Sequence, residues 1–124
     1  MSIILPDSSC WIEIFSEGKL AQECEAEIKR ASDIIVPTLV IYEVYKKIRS
    51  CLSEDLGLSA VASLSTNSVS ELTREIALLA ADLSLEYKLP MADSMVLAHA
   101  EAHEAQLVTL DKGFLVVPHV RVLV

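Results

Sequence analysis

The chain has 124 residues, of which 52% are hydrophobic and 23% are charged, and its net charge is −8 at pH 7. That length is typical of one domain with a hydrophobic core and excludes a second domain of ordinary size. No apolar run reaches the roughly 18 residues of a membrane span, and residues 1–6 lack the pattern of a signal peptide, so we expect a cytoplasmic protein without membrane contact.

Asp7 is the first candidate site residue in chain order. A short apolar run over residues 2–5 predicts a strand, and Asp7 opens the helix that follows it. As a helix cap, its side chain would accept a hydrogen bond from an orphan backbone N–H and have no further role. It also directly follows a strand, and ligands of open α/β sheets gather beyond the carboxyl ends of the strands.

Glu43 is the second candidate. The pattern predicts a solvated, charged helix over residues 19–31, a strand over residues 33–37, and a further helix that Thr38 is expected to cap. Within that last helix Glu43 stands among apolar residues. A surface pair with Lys47, worth only about 0.2–0.5 kcal/mol, is one interpretation. The apolar neighbours instead indicate partial burial, where a charge needs a partner.

The middle of the chain carries no motif that indicates chemistry. Residues 53–65 predict a helix and residues 67–70 a short strand. The next helix presents Asp82 on a solvent-facing stripe. Its opposite stripe is a predicted core face made of Leu72, Ile76, Leu79, Ala80, Leu83 and Tyr87.

Residues 89–114 hold two more candidate site acids, Asp93 and Asp111. Asp93 lies near the start of a helix whose residues Val96 and Leu97 fall on the same side, so its side chain should face inward. Residues 106–109 predict a strand, and residues 119–124 predict the last one. Taken alone, Asp111 is the turn residue that precedes Gly113.

The predicted order β-α-α-β-α-α-β-α-α-β-β indicates an α/β fold. Alternation of this kind gives a mostly parallel sheet with helices on both faces. No linker or repeat interrupts the pattern, so we expect a single three-layer α/β/α domain over residues 1–124.

Four acids can project to one edge of such a sheet: Asp7, Glu43, Asp93 and Asp111. Carboxylates brought together repel one another unless a cation neutralises them. Oxygen ligands of this kind suit Mg²⁺ or Mn²⁺, and we expect Asp7 and Asp93 to be metal ligands. Such a cation can activate water for attack on a phosphodiester. Ser9 and Thr109 are expected to orient a carboxylate or a water.

Four segments resemble, in order, the motifs of PIN-domain ribonucleases, and in particular those of VapC-type toxins: Asp7-Ser-Ser-Cys-Trp-Ile, Val-Ile-Tyr-Glu43-Val, Leu-Pro-Met-Ala-Asp93 and Val-Thr-Leu-Asp111-Lys-Gly-Phe. The resemblance covers the whole chain. It implies a PIN fold and a Mg²⁺- or Mn²⁺-dependent endonuclease that cuts structured RNA, commonly tRNA or rRNA. It also implies homodimers that a VapB-type antitoxin inhibits, in heterotetramers or larger assemblies.

The resemblance assigns roles residue by residue. Asp7, Glu43 and Asp93 match the three central acids of the family, and Asp111 matches a more variable fourth. Many relatives carry a further acid just before the Phe of the last motif, where this chain has Gly113. That departure bears on a second metal position and leaves the first intact.

The negative charge is the main objection to an RNA substrate. Phosphate binding normally draws on a basic surface, and the net charge is −8. The objection weakens if bound metal neutralises several acids, and if Lys46, Lys47 and Arg49 form a local basic patch. So acidic a chain also favours a basic partner protein.

Two alternatives to a nuclease are a receiver-type phospho-acceptor domain and a PIN-fold binding module without turnover. A receiver needs an acid pair after the first strand, and here Asp7 is followed by Ser8 and Ser9. It also needs a central Asp after a later strand, which the middle of the chain does not offer.

Other metal or thiol constellations are weak. His99 and His103 are four residues apart, yet the segment lacks the Glu that H-E-x-x-H needs, so surface or interface histidines are the expectation. Cys10, Cys24 and Cys51 form no C-x-x-C pair, and we expect buried or neutral thiols rather than a disulfide or zinc site.

Overall fold

A computed structural model describes residues 2–124, and in that range the chain forms six α-helices, five strands and one 3₁₀ helix. In chain order they are β1 (Ile3–Pro6), α1 (Ser8–Phe15), α2 (Ala21–Arg30), β2 (Asp33–Pro37), α3 (Thr38–Cys51), α4 (Glu54–Leu64), β3 (Ser68–Ser70), α5 (Arg74–Tyr87), α6 (Met91–Ala102), β4 (Gln106–Thr109), the 3₁₀ helix (Lys112–Val116) and β5 (Arg121–Val122). Helices separate the first four strands, as the sequence predicts.

The strands form one parallel sheet in the order β3-β2-β1-β4-β5. Ile4 of β1 pairs with Ile34 of β2, and Leu5 of β1 pairs with Leu107 of β4, so β1 lies at the centre. The direction of the strand order reverses between β1 and β4. In open α/β sheets the crevice at such a reversal, beyond the carboxyl ends of the strands, is where ligands bind.

The α/β fold class is confirmed, and the sheet is parallel throughout. Its strand order also distinguishes the chain from receiver domains, whose flavodoxin-like order is 2-1-3-4-5. The receiver alternative therefore loses its structural support.

The core lies on both faces of the sheet. Successive side chains of a strand point to opposite faces, and Ile34, Ile35 and Val36 of β2 are all buried. Helices must therefore cover both faces, which gives three layers. Within the helical layers α3 packs on α4 and α5 packs on α6.

Two features of the chain as a whole are the state of its cysteines and the length and polarity of its helices. Cys10 and Cys24 are buried, as expected, whereas Cys51 is exposed, and all three are free. Within the described part of the chain, every helix is too short or too polar to span a bilayer.

The starts of two helices differ from the sequence expectation. Leu72 is 49% exposed rather than buried, because α5 begins only at Arg74, with Thr73 as its cap. Thr38 is the first residue of α3 and does not cap it. The extended Pro37 occupies the cap position, and no side chain bonds the helix start there.

The last strand is shorter than predicted. β5 pairs only Arg121 with Val108 and Val122 with Thr109, because β4 ends at Thr109 and offers no further partner. Between these strands the predicted turn at Asp111 continues as the 3₁₀ helix, which buries Phe114. The chain thus leaves the sheet at Thr109 and passes over its carboxyl edge before it returns.

Candidate active site

The candidate site begins where β1 ends. Asp7 follows the last residue of β1, and its backbone N–H donates to the carbonyl of Val108 on β4 at 2.8 Å. Its extended backbone leads into α1, for which it is the N-cap. The parallel pairing of β1 with β4 therefore fixes Asp7 at the carboxyl edge of the sheet, at the reversal in strand order.

Hydrogen-bond donors surround the carboxylate of Asp7, a residue that is only 6% exposed. Its Oδ1 accepts from the backbone N of Ser8 at 2.8 Å, which is the helix-cap bond expected from the sequence. Its Oδ2 accepts from Thr109 Oγ1 at 2.9 Å and from Ser9 Oγ at 3.3 Å. Asp7 is thus a helix cap and a fixed carboxylate at once, and both expected supporting hydroxyls contact it.

The same two hydroxyls also hold the segment that follows β4. Ser9 Oγ accepts from the backbone N of Leu110 at 3.1 Å, and Thr109 Oγ1 accepts from the backbone N of Asp111 at 3.0 Å. The two hydroxyl oxygens lie 3.2 Å apart. Each hydroxyl therefore links the Asp7 carboxylate to the backbone that positions Asp111.

Asp111 caps the 3₁₀ helix, because its Oδ1 accepts from the backbone N of Gly113 at 2.8 Å. The residue is exposed at the rim of the crevice. A Cβ at Gly113 would lie 3.1 Å from Asp111 Oδ1, so any side chain there would crowd this bond. The glycine thus leaves Asp111 as the only acid that this turn contributes.

Glu43 and Asp93 reach the site from α3 and α6. Both residues are partly buried, and Asp93 lies in the first turn of α6. The first turn of α1 approaches Glu43, since Ser8 and Glu43 line one cleft. The ion pairs among residues 2–124 do not include one between Glu43 and Lys47, so the surface-pair interpretation of Glu43 is wrong.

Burial and mutual repulsion raise the pKa of three of the four acids. Burial is the larger cause at Asp7, Glu43 and Asp93, and it helps to raise the pKa of Asp93 to about 6. The charge of Asp7 also acts on Glu43 and Asp93, and the charge of Asp111 acts on Asp7 and Asp93. The four carboxylates therefore lie within electrostatic reach of one another.

The donor set fits a hard divalent cation that keeps part of its water. Buried carboxylates that repel one another are stabilised by such an ion. Among residues 2–124 no three acidic, histidine or cysteine side chains converge closely enough to enclose an ion by themselves. Mg²⁺ usually binds through one or two carboxylates and several waters, so Asp7 and Asp93 supply the expected kind of ligand.

Ser8 is a site residue that the sequence analysis does not single out. Its backbone N–H donates to Asp7 Oδ1, and the residue lines the same cleft as Glu43. Its place directly after the N-cap acid is the signal that could have found it, because the first helical turn borders the same crevice.

The histidine expectation is wrong for His99, which is 1% exposed. Ser70 Oγ lies 2.9 Å from His99 Nδ1 and 2.9 Å from His103 Nε2. Burial lowers the pKa of His99, and the neighbouring His103 lowers it further. These three side chains join the end of β3 to α6.

Sequence and structure agree on the relatives of this chain. Residues 4–120 match the family model of the PIN domain. A toxin–antitoxin complex from Klebsiella pneumoniae contains a chain with 26% identity and a TM-score of 0.80, and the match covers 94% of each chain. A comparison with curated proteins gives no match.

Two further structures share the fold at lower identity. Mycobacterium tuberculosis VapC20, described as a Sarcin-Ricin loop cleaving toxin, has 17% identity and a TM-score of 0.79 over 98% of both chains. DNA-bound VapBC from Salmonella typhimurium has 16% identity and a TM-score of 0.76, over 99% of this chain and 98% of that one. Because the family model spans residues 4–120, the chain belongs to the PIN domain family.

Proposed function

We propose that this chain is a metal-dependent endoribonuclease that acts in the cytoplasm as the toxin of a VapBC-type pair. The observation that carries the proposal is the meeting of four acids at the strand-order reversal of a PIN fold: Asp7, Glu43, Asp93 and Asp111. Similarity to a toxin described as cleaving the Sarcin-Ricin loop supports structured RNA, such as tRNA or rRNA, as the substrate. In this proposal residues 1–124 act as one domain.

Asp7 and Asp93 would hold Mg²⁺ or Mn²⁺. When bound there, such a cation lowers the pKa of a coordinated water and offsets the charge that develops on the phosphodiester. Thr109 and Ser9 fix the orientation of the Asp7 carboxylate through hydrogen bonds of 2.9 and 3.3 Å. That orientation does not depend on the metal, so little rearrangement is needed when it binds.

Glu43 is assigned the acceptance of a proton from the attacking water. Burial, together with the charge of Asp7, raises the pKa of Glu43, which brings its carboxylate closer to the range that suits a general base near neutral pH. Ser8 lies beside it in the lining of the same cleft. Asp111 lies at the exposed rim and adds negative charge that attracts a cation to the crevice.

Cleavage of RNA by purified protein tests this assignment. In Mn²⁺ or Mg²⁺ the wild type should cut a structured RNA, and Asp7→Asn and Asp93→Asn should each reduce the rate about 100-fold or more, because each removes a charged ligand. Gel analysis of the labelled RNA measures the rate, and circular dichroism checks folding.

Asp82→Asn is the matched control, since it removes the same charge from an exposed position on α5 and should leave cleavage unchanged. Undiminished cleavage by both site variants would overturn the assignment. A wild type that binds RNA without cutting it would favour the PIN-fold binding module.

An antitoxin is the proposed protein partner. Similar structures include toxin–antitoxin complexes, and the net charge of −8 favours a basic segment on the partner. The resemblance to VapC toxins supports a homodimer that assembles with a VapB-type antitoxin into a heterotetramer or a larger complex. A short upstream reading frame that encodes a DNA-binding protein with an Arg-bearing tail is expected. A sensor kinase in that place would contradict the pairing.

A further inference from the structure

A cleft of about 350 Å³ opens beside Glu43, between α1 and α3, and we call it the α3 cleft. Its lining includes Ser8, Ile12, Tyr42, Glu43, Lys46 and Lys47. The proposed function uses only Ser8 and Glu43 from this set. The proposed function therefore assigns no role to the aromatic and basic residues of the lining.

Helical spacing connects this lining directly to the acids. Tyr42 and Lys46 are four residues apart on α3, and so are Glu43 and Lys47, so the two pairs form neighbouring ridges. Four residues correspond to about 6 Å along a helix axis. The cleft thus extends from a candidate catalytic carboxylate to two ammonium groups about one helical turn away.

Lys46 and Lys47 provide local positive charge in an acidic chain. Both are exposed, and the ion pairs among residues 2–124 include neither of them. Arg49 borders a neighbouring hollow with Lys46, but its guanidinium pairs with Glu54 at 3.1 Å. The expected basic patch therefore forms around the two lysines, with Arg49 largely neutralised.

Tyr42 adds a stacking surface to that charge. Tyr42 is 58% exposed, so its ring is open to a ligand in the cleft. Lys46 Nζ lies 5.5 Å from the ring centroid and donates to the Tyr42 hydroxyl at 3.4 Å. An exposed aromatic ring next to unpaired cations is the combination that binds single-stranded nucleic acid, by base stacking and phosphate attraction.

We propose that the α3 cleft binds an unpaired nucleotide next to the bond that is cut, with its base stacked on Tyr42 and its phosphates held by Lys46 and Lys47. The inference rests on the proposed function and specifies its substrate class. Bases of an RNA duplex are already stacked on one another, so only a loop, bulge or end can supply a base to Tyr42. The cleft thus selects unpaired segments of structured RNA.

Binding of a fluorescein-labelled RNA hairpin, followed by anisotropy in EDTA, tests the proposal without cleavage. The wild type should bind the hairpin more tightly than a fully paired RNA of the same length. Tyr42→Ala should weaken hairpin binding about 5-fold or more, and Tyr42→Phe, which keeps the ring, should not. Lys46→Gln and Lys47→Gln should each reduce the slope of log K against log salt by about 0.7.

Lys29→Gln is the matched charge control, because Lys29 is exposed on α2 and outside the cleft lining. Equal hairpin affinity of Tyr42→Ala and wild type would overturn the proposal. So would lysine variants that behave like Lys29→Gln, or a wild type that does not distinguish the hairpin from the duplex. If the Tyr42 or lysine variants sediment differently from the wild type but bind RNA equally well, this face would instead be an interface between copies of the chain, and the proposal would be overturned.

A parallel cleavage assay in Mn²⁺ separates this inference from the proposed function. Tyr42-dependent binding without cleavage by the wild type would reject the nuclease and keep the α3 cleft as an RNA-binding site. Cleavage that Tyr42→Ala leaves unchanged, together with unchanged affinity, would keep the nuclease and reject the cleft.

Discussion

Among single residues, Thr109 contributes to the geometry of two of the acids, Asp7 and Asp111. Its buried hydroxyl donates to Asp7 Oδ2 at 2.9 Å and accepts from the backbone N of Asp111 at 3.0 Å. The Thr109 hydroxyl is therefore a hydrogen-bond partner of both the buried Asp7 carboxylate and the backbone N–H of Asp111. Its loss would leave both of those groups short of a partner.

Thr109→Val should destabilise the fold by about 1–3 kcal/mol, because it keeps the shape of the side chain and leaves a buried carboxylate without one of its donors. Urea unfolding measures the change. Thr109→Ser retains the hydroxyl and should stay much closer to the wild type. A loss in Thr109→Val that is no larger than the loss in Thr109→Ser would show that the hydrogen bond does not account for the effect.

Asp93 should make the metal-free fold less stable as the pH rises. Its pKa is about 6 in the folded chain, against 3.8 as the ordinary value, so the folded chain holds this proton more tightly. The stability that the group contributes is complete below pH 3.8 and is lost as the pH rises through about 6.

In EDTA at about pH 7.5, the free energy of unfolding of Asp93→Asn should therefore exceed that of the wild type by about 1 kcal/mol. This value allows for solvent screening of the half-exposed group. The advantage should disappear below about pH 4, where the carboxyl of the wild type is protonated. Urea unfolding across that pH range measures it. The same gain in Asp82→Asn would mean that the overall charge, rather than the site, is responsible.

The sequence is a good guide to these residues where a local rule applies. Asp7 follows a strand and opens a helix, and both facts are visible in the sequence within a few residues. The bond between Asp7 and Thr109 joins positions 102 residues apart and arises only from the pairing of β1 with β4. The proximity of Ser8 to Glu43 is likewise not visible in the sequence, because it needs α1 and α3 to pack side by side.

At the scale of elements, a histidine pair joins β3 to α6. Ser70 is the last residue of β3, and its hydroxyl bridges His99 and His103 of the α6 end. Burial keeps the pKa of His99 below its ordinary value of 6.5. The unfolded chain therefore takes up this proton first, and stability falls as the pH drops below about 6.5.

His99→Gln should flatten the fall in unfolding free energy between about pH 7 and pH 5, because it removes the group that the unfolded chain protonates preferentially. Chemical unfolding at several pH values measures the slope. An unchanged slope in His99→Gln would assign the pH dependence to other groups.

The sequence does not reveal this connection, for a physical reason. His99 and His103 share a helix face whether that face meets water or a strand, and Ser70 lies 29 residues before His99. The extent of β5 is hidden in the same way. Its apolar pattern continues to residue 124, but β4 stops at Thr109 and limits the pairing to two residues.

For the whole molecule, the outer face of α5 is the feature that indicates self-association. Leu78 is 63% exposed and Leu85 is 81% exposed, and seven residues place them on one side of the helix. Met91, just beyond α5, is 72% exposed. Two large and strongly exposed apolar side chains on one helix face favour contact with another protein surface.

We expect the wild type to sediment as a dimer and the double variant Leu78→Glu and Leu85→Glu to sediment as a monomer, because the dimer would bury the new charges. Analytical ultracentrifugation measures the difference. Leu58→Glu, at a 52% exposed leucine of α4, is the matched control and should remain dimeric. A monomeric wild type, or a dimeric double variant, would contradict this.

The fold class could be predicted because alternating strands and helices allow few arrangements other than a covered parallel sheet. The strand order could not, since the same alternation is compatible with the order 2-1-3-4-5 as well as with the observed β3-β2-β1-β4-β5. The position of the reversal decides which strand ends are neighbours. It thus determines that the ends of β1 and β4, which are followed by Asp7 and Asp111, are neighbours.

The central position of β1 in the sheet also determines when, during synthesis, the four acids can come together. A ribosome makes Asp7 early, but the hydroxyl that fixes its carboxylate belongs to Thr109, 102 residues later. Contacts between such distant positions form slowly compared with local helices. A nascent chain that has not reached β4 therefore carries its acids unassembled, and a partner protein already present can meet the chain before its carboxylates are arranged.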